Sequence, residues 1–144
     1  MRLSGVTLII ALLCLSCVKV MAADAPQLDY RTTGMLSGTL RDDFLVGKGR
    51  VMYHGEHAGF RVWSEAPRNG NHPARYLLEG QENVRNKLRV RIESERGQPD
   101  GKEGKGIIIL TGDDSVLFKV VVDGQQNVRA DNYPIELRAL VLLP

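Results

Sequence analysis

The sequence predicts an all-β fold, a sandwich of short antiparallel strands, and three observations lead there. No long segment carries the apolar period of a helix. Apolar or alternating runs recur about every ten residues, separated by Gly, Asn, Asp and Pro. The stretch Tyr133–Pro144 alternates with period two: Ile135, Leu137, Ala139, Val141 and Leu143 share one face, and Pro134, Glu136 and Arg138 the other, until Leu140 and Leu142 break the polarity. A strand this apolar asks for a neighbour on each side, and nothing in the sequence after it supplies the second.

The 144 residues open with MRLSGVTLIIALLCLSCVKVMA, which has Arg2 near its start, an apolar run from Val6 to Val18 and small residues at its end. This is the pattern of a secretory signal peptide over 1–22, cleaved after Ala22 or Ala23, and the run falls short of the ~20 residues that span a bilayer. Lipidation of Cys17 is the weaker reading, because Cys14 stands where Leu is usual and Lys19 follows closely. Both cysteines, Cys14 and Cys17, leave with the leader, so the exported chain is expected to hold together by packing alone. Arg2 and Lys19 leave too, taking 19 basic residues to 17 against 17 acidic ones. A near-neutral exported chain gives no reason to expect nucleic acid or a membrane surface as a partner. What remains, 23–144, is the size of a single domain with one core.

In chain order, Gln27–Thr32 reads as a weak first strand, and Leu36–Val46, interrupted by Gly38, Asp42 and Asp43, as a loop or short edge strand. Gly49–His54 and Gly59–Trp63 read as strands joined by a turn, Ala66–Pro73 as a loop, and Arg75–Glu79 as a strand closed by Gly80. Leu88, Val90 and Ile92 then alternate with Arg85, Lys87, Arg89, Arg91 and Glu93. Gly97–Gly106 reads as a surface loop, Ile107–Leu110 and Val116–Val122 as apolar strands, and Asp123–Asp131 as a lead into the final strand. That makes seven or eight strands. Asp131-Asn132-Tyr133 stands where a tyrosine corner opens strand F of an immunoglobulin-like sandwich, in which case strand G is missing from this polypeptide.

Catalytic groupings are absent from the sequence. His54, Glu56 and His57 lack a third ligand at metal spacing and read as a solvated turn. GQPDGKEGKG lacks the spacing, the Ser or Thr, and the following helix of a phosphate loop. No Ser or Thr sits in a nucleophile context, so neither an enzyme nor a cofactor is expected. Arg85, Lys87, Arg89 and Arg91 form a basic row with a ~7 Å repeat. It could bind an anionic glycan on a stand-alone exported sandwich, against the plainer reading of a solvated strand face.

GRVMYHGEHAGFRVW (Gly49–Trp63), RYLLEG (Arg75–Gly80), KLRVR (Lys87–Arg91), GKEGKG (Gly101–Gly106), VLFKVVVDGQQNV (Val116–Val128) and the closing NYPIEL resemble the AfaD/DraD invasin family. These are minor subunits of chaperone-usher Afa/Dr fimbriae, and the chain is similar too to the AggB-like minor subunits of aggregative adherence fimbriae. The resemblance implies an incomplete immunoglobulin-like sandwich lacking its last strand. A periplasmic chaperone and an outer-membrane usher would handle it during export. The major fimbrial subunit would then complete it by donor-strand complementation. On this implication Ile135, Leu137, Ala139 and Val141 line the donor-strand groove. The subunit, exported through the periplasm to the cell surface, receives a strand, donates none, and sits at the fimbrium tip. A role in host-cell adhesion or invasion follows, with a host receptor such as an integrin. One departure stands out: where the family has a disulfide, this chain has Tyr53 and Val141, which are expected to pack near one another instead. A lost disulfide typically costs ~2–5 kcal/mol, so the uncomplemented domain is expected to be marginal.

Overall fold

A computed structural model describes residues 25–101 and 104–144; the expected signal peptide with Cys17 and its expected cleavage site lie outside the described residues, as do positions 102 and 103. Eleven strands occur among the described residues: β1 (Gln27–Thr32), β2 (Leu36–Leu40), β3 (Leu45–Met52), β4 (Gly59–Ser64), β5 (Arg75–Glu79), β6 (Lys87–Glu93), β7 (Gly97–Pro99), β8 (Ile107–Leu110), β9 (Ser115–Val122), β10 (Gln126–Asp131) and β11 (Leu137–Leu142). One sheet runs β1-β3-β9-β6-β5 and a second runs β11-β4-β8-β7, while β2 pairs only with β10. Every pairing is antiparallel.

The period-two pattern explains the core. Leu88, Val90 and Ile92 of β6 and Val51 of β3 come from the first sheet, and Phe60, Val62, Ile107 and Ile109 from the second. They meet in one cluster with Leu36, Leu40 and Val128 of the β2–β10 pair. The fold is thus an immunoglobulin-like β-sandwich.

Three segments depart from the expected layout. Leu36–Leu40 is a strand despite Gly38 at φ 79°, because Leu36 and Leu40 bury at its two ends while β10 supplies its ladder. Gly97–Pro99, expected inside a loop, pairs with Ile107–Ile109. Asp123–Asp131 contains β10, not merely a connection. In each case the partner strand, about ten residues on for Gly97–Pro99 and far along the chain for β2 and β10, decides the strand more than local alternation does. The final strand is shorter than expected: Tyr133–Glu136 approaches it, and β11 begins at Leu137.

Candidate assembly edge

β11 lies at the rim of the second sheet and pairs along one side only, Leu137–Leu142 against Ser64–Gly59 of β4. Among the described residues its other side has no strand. Tyr133 sets its entry: the ring is buried and the hydroxyl donates to the Arg129 carbonyl at 2.7 Å, a tyrosine corner. Ile135, Leu137, Ala139 and Val141 all pack on the core yet stay partly exposed. One strand inward, Phe60 and Val62 are fully buried. Exposure therefore rises at the rim, where apolar side chains lack a covering neighbour. Leu140 and Leu142 belong to the outer face, beside Arg61 and Gly59, with Ile108 and Leu110 of β8 next in the same rows.

The rim of the first sheet is β1, which pairs only with β3. Leu28 and Tyr30 face inward there, opposite Val51 and Gly49. β3 presents two inward glycines, and a Cβ at either would collide with an aromatic ring, Tyr30 at Gly47 and Phe118 at Gly49. The two rings fill that trough from opposite sides, nearly parallel, at a centroid separation of 6.4 Å. The Tyr30 hydroxyl is buried with no hydrogen-bond partner among the described residues, and burial pushes its pKa up to about 12.

Tyr53 and Val141, expected to pack near one another, are connected through two rings. Tyr53 meets His57 edge-on at 5.7 Å, His57 lies 4.8 Å from Phe60, and Phe60 is the register partner of Val141. The expected solvated turn is corrected here, because His57 is only 7% exposed. Its Nδ1 and Nε2 lie 2.7 Å from the carbonyls of Gly55 and Asp113, and a neutral ring can donate to only one of them. His54 stays outside, next to Asp114 at 3.2 Å.

The basic row is divided by its surroundings. Arg85 precedes β6, its N–H donating to Asn83 Oδ1 at 2.9 Å. Lys87 and Arg89 are exposed on β6, with Lys87 3.5 Å from Glu79. Arg91 is enclosed by four carboxylates: Asp42 at 2.8 Å, Glu93 at 2.5 Å, Asp123 at 3.0 Å, and Asp43. Burial opposes its charge, but hydrogen bonds to Asp42, Glu93 and Asp123 outweigh that and hold its pKa above the ordinary value. Arg91 is thus committed within the fold, whereas Arg85, Lys87 and Arg89 are exposed.

Other buried polar groups escaped sequence reasoning. Asp131, fully buried, accepts hydrogen bonds from the N–H groups of Glu82, Asn83 and Asn132 and from Asn86 Nδ2, at 2.7–3.2 Å. Gln126 clips onto β6 through both the N–H and the carbonyl of Arg89, at 2.9 and 2.8 Å. Arg61 and Asp100, both nearly buried, form an ion pair at 3.3 Å. Only the Asp-Asn-Tyr sequence at 131–133 hinted at any of these in advance.

Residues 36–139 match the family described as Enterobacteria AfaD invasin protein. Protein AfaD of Escherichia coli is 28% identical over 123 residues, covering 85% of this chain and 83% of that protein. The crystal structure of the Salmonella SafD adhesin superposes with a TM-score of 0.79 at 41% identity, over 83% of this chain and 85% of the other. HdaB, the minor tip subunit of the E. coli Hda pilus, shares the fold with a TM-score of 0.77 at 23% identity, over the same shares of 83% and 85%. This chain belongs to the AfaD invasin family of fimbrial adhesin subunits displayed at the bacterial surface.

Proposed function

We propose that this subunit receives a β-strand from a neighbouring fimbrial subunit along the free side of β11, at the tip of the fibre. The observation that carries the reading is the rim itself: Leu137, Ala139 and Val141 of β11, a strand paired along one side, and Ile135 just before it remain partly exposed, while Phe60 and Val62 one strand inward are fully buried. An added strand would complete that ladder and cover those side chains with its own alternate residues. A periplasmic chaperone lends the strand during export, the usher passes the subunit outward, and the major subunit supplies the final donor. HdaB, a minor tip subunit, supports the tip position by likeness of fold. Adhesion or entry through a host receptor, an integrin among the candidates, follows from membership of the invasin family.

The test is to compare the exported chain alone with a fusion carrying the major subunit's N-terminal segment after Pro144. Covering several apolar side chains at ~25 cal/mol per Å² should raise the melting temperature by on the order of 10 °C or more. A monomer equally stable with and without the segment overturns the reading.

A further inference from the structure

The Tyr30 ring needs the inward Gly47 of β3 for its place, as Phe118 needs Gly49, yet the Tyr30 hydroxyl has nothing to donate to among the described residues. Phenylalanine would fill the same trough and stack on Phe118 without burying an unsatisfied polar atom. Buried hydroxyls are ordinarily bonded, so an orphan at a rim points to a partner that arrives later. Tyr30 lies on β1, the rim of the first sheet, as the groove residues lie on β11, the rim of the second. Its oxygen sits over Gly47 on the inward face that β1 and β3 share, the face toward which inward side chains of a strand added beside β11 would turn. Backbone carbonyls of that strand lie within its own ladder and point along the sheet.

We propose that the Tyr30 hydroxyl fixes the register of the incoming strand by donating to a side-chain oxygen, from Ser, Thr or Asn, at one inward-facing position. This rests on the strand-acceptance reading. The donor segment is therefore apolar at its inward positions except for one acceptor, and a one-step slip of two residues would place an apolar group against the hydroxyl.

The experiment uses the fusion described above, with each inward donor position set in turn to Val and to Thr, in the native and Tyr30→Phe chains. Thermal and urea unfolding give a double-mutant cycle at every position. One position should couple: Thr there should be favoured over Val by about fivefold more in the unfolding equilibrium constant when Tyr30 is present than in Tyr30→Phe. Without a donor segment, Tyr30→Phe should be at least as stable as the native chain. Equal effects of Tyr30→Phe at all positions, or loss of stability in the uncomplemented Tyr30→Phe chain, overturn the role of the hydroxyl alone. If no donor segment stabilises either chain, strand acceptance fails and this inference with it.

Discussion

The two flanks of the sandwich are finished differently. On the β5–β6 side, polar groups are buried and bonded: Asp131 collects four hydrogen bonds, Gln126 clips the β6 backbone, and Arg91 gathers four carboxylates from β6 and two separate turns. On the β1–β11 side, apolar groups are partly exposed, β11 has one strand partner, and the Tyr30 hydroxyl is buried without a bond. A sandwich that made its own stability everywhere would not leave one side so incomplete. The closed flank is bonded within the chain, and the open flank is the one to which the proposed donor strand would add.

The largest break should come at Asp131. Its partners are the backbone N–H groups of Glu82, Asn83 and Asn132 and the side chain of Asn86, which lose a charged acceptor that is itself fully buried when the carboxylate goes. Asp131→Asn should destabilise the uncomplemented chain at pH 7 more than any other single change considered below. The carboxyl is also a pH reporter. Burial alone would raise its pKa, but hydrogen bonds from Glu82, Asn86, Asn132 and Asn83 prevail and hold it below the usual carboxylate range. Its stabilisation is therefore present above the unfolded pKa of about 3.9 and is lost as pH falls through the lower folded value. The stability gap between the native chain and Asp131→Asn should narrow below about pH 4. A gap unchanged down to pH 2 would show that Asp131 does not anchor the closed flank.

Much of this division was legible in the residues. Alternation located β6 and β11 and assigned Ile135, Leu137, Ala139 and Val141 to one face, and Tyr133 marked the corner before them. The strands that escaped, β7 and β10, have short or interrupted patterns, and β2 reads as either a loop or an edge strand; β2 and β10 find each other from far apart in sequence, while β7 closes a hairpin on β8. The same holds for polar groups. His57 reads as a surface histidine until Asp113, 56 positions on, supplies a carbonyl. Arg91 reads as one of four equal cations until Asp42, Asp43 and Asp123 converge on it. Gly47 and Gly49 show no role in the sequence, and only the rings laid over them give them a purpose. Period two reports which face is buried; it carries no information about what crosses from elsewhere.

Arg91 offers a smaller break of the same flank. Arg91→Met removes the cation that all four carboxylates share, but Arg75 stays 3.5 Å from Asp123 and Lys119 3.9 Å from Glu93, and Asp42 and Asp43 are 56% and 64% exposed and can recover water. The cost should be about 2 kcal/mol by urea unfolding, below the 3–5 typical when a fully buried pair is broken. Because the loss is partly repulsion among the remaining carboxylates, it should shrink between 0.05 and 0.5 M salt, the latter having a Debye length of roughly 4 Å. A loss that salt leaves unchanged would mean that Arg91 contributes by packing its stem, and the closed flank would owe less to charge than the geometry implies.

The smallest effect sharpens the open side. At Gly49 a Cβ would run into the end of the Phe118 ring, whereas at Gly112 nothing lies within 4 Å. Gly49→Ala should therefore cost about 1 kcal/mol, the low end of overpacking because a ring end can shift, while Gly112→Ala should be close to neutral. Displacing Phe118 also disturbs the ring stacked beside it, Tyr30 at 6.4 Å, and with it the inner wall facing an added strand. The stabilisation brought by a fused donor segment should consequently fall in Gly49→Ala and not in Gly112→Ala. If both alanine variants gain equally from the segment, the glycine trough serves only the resting subunit, and the open flank is defined by β11 alone.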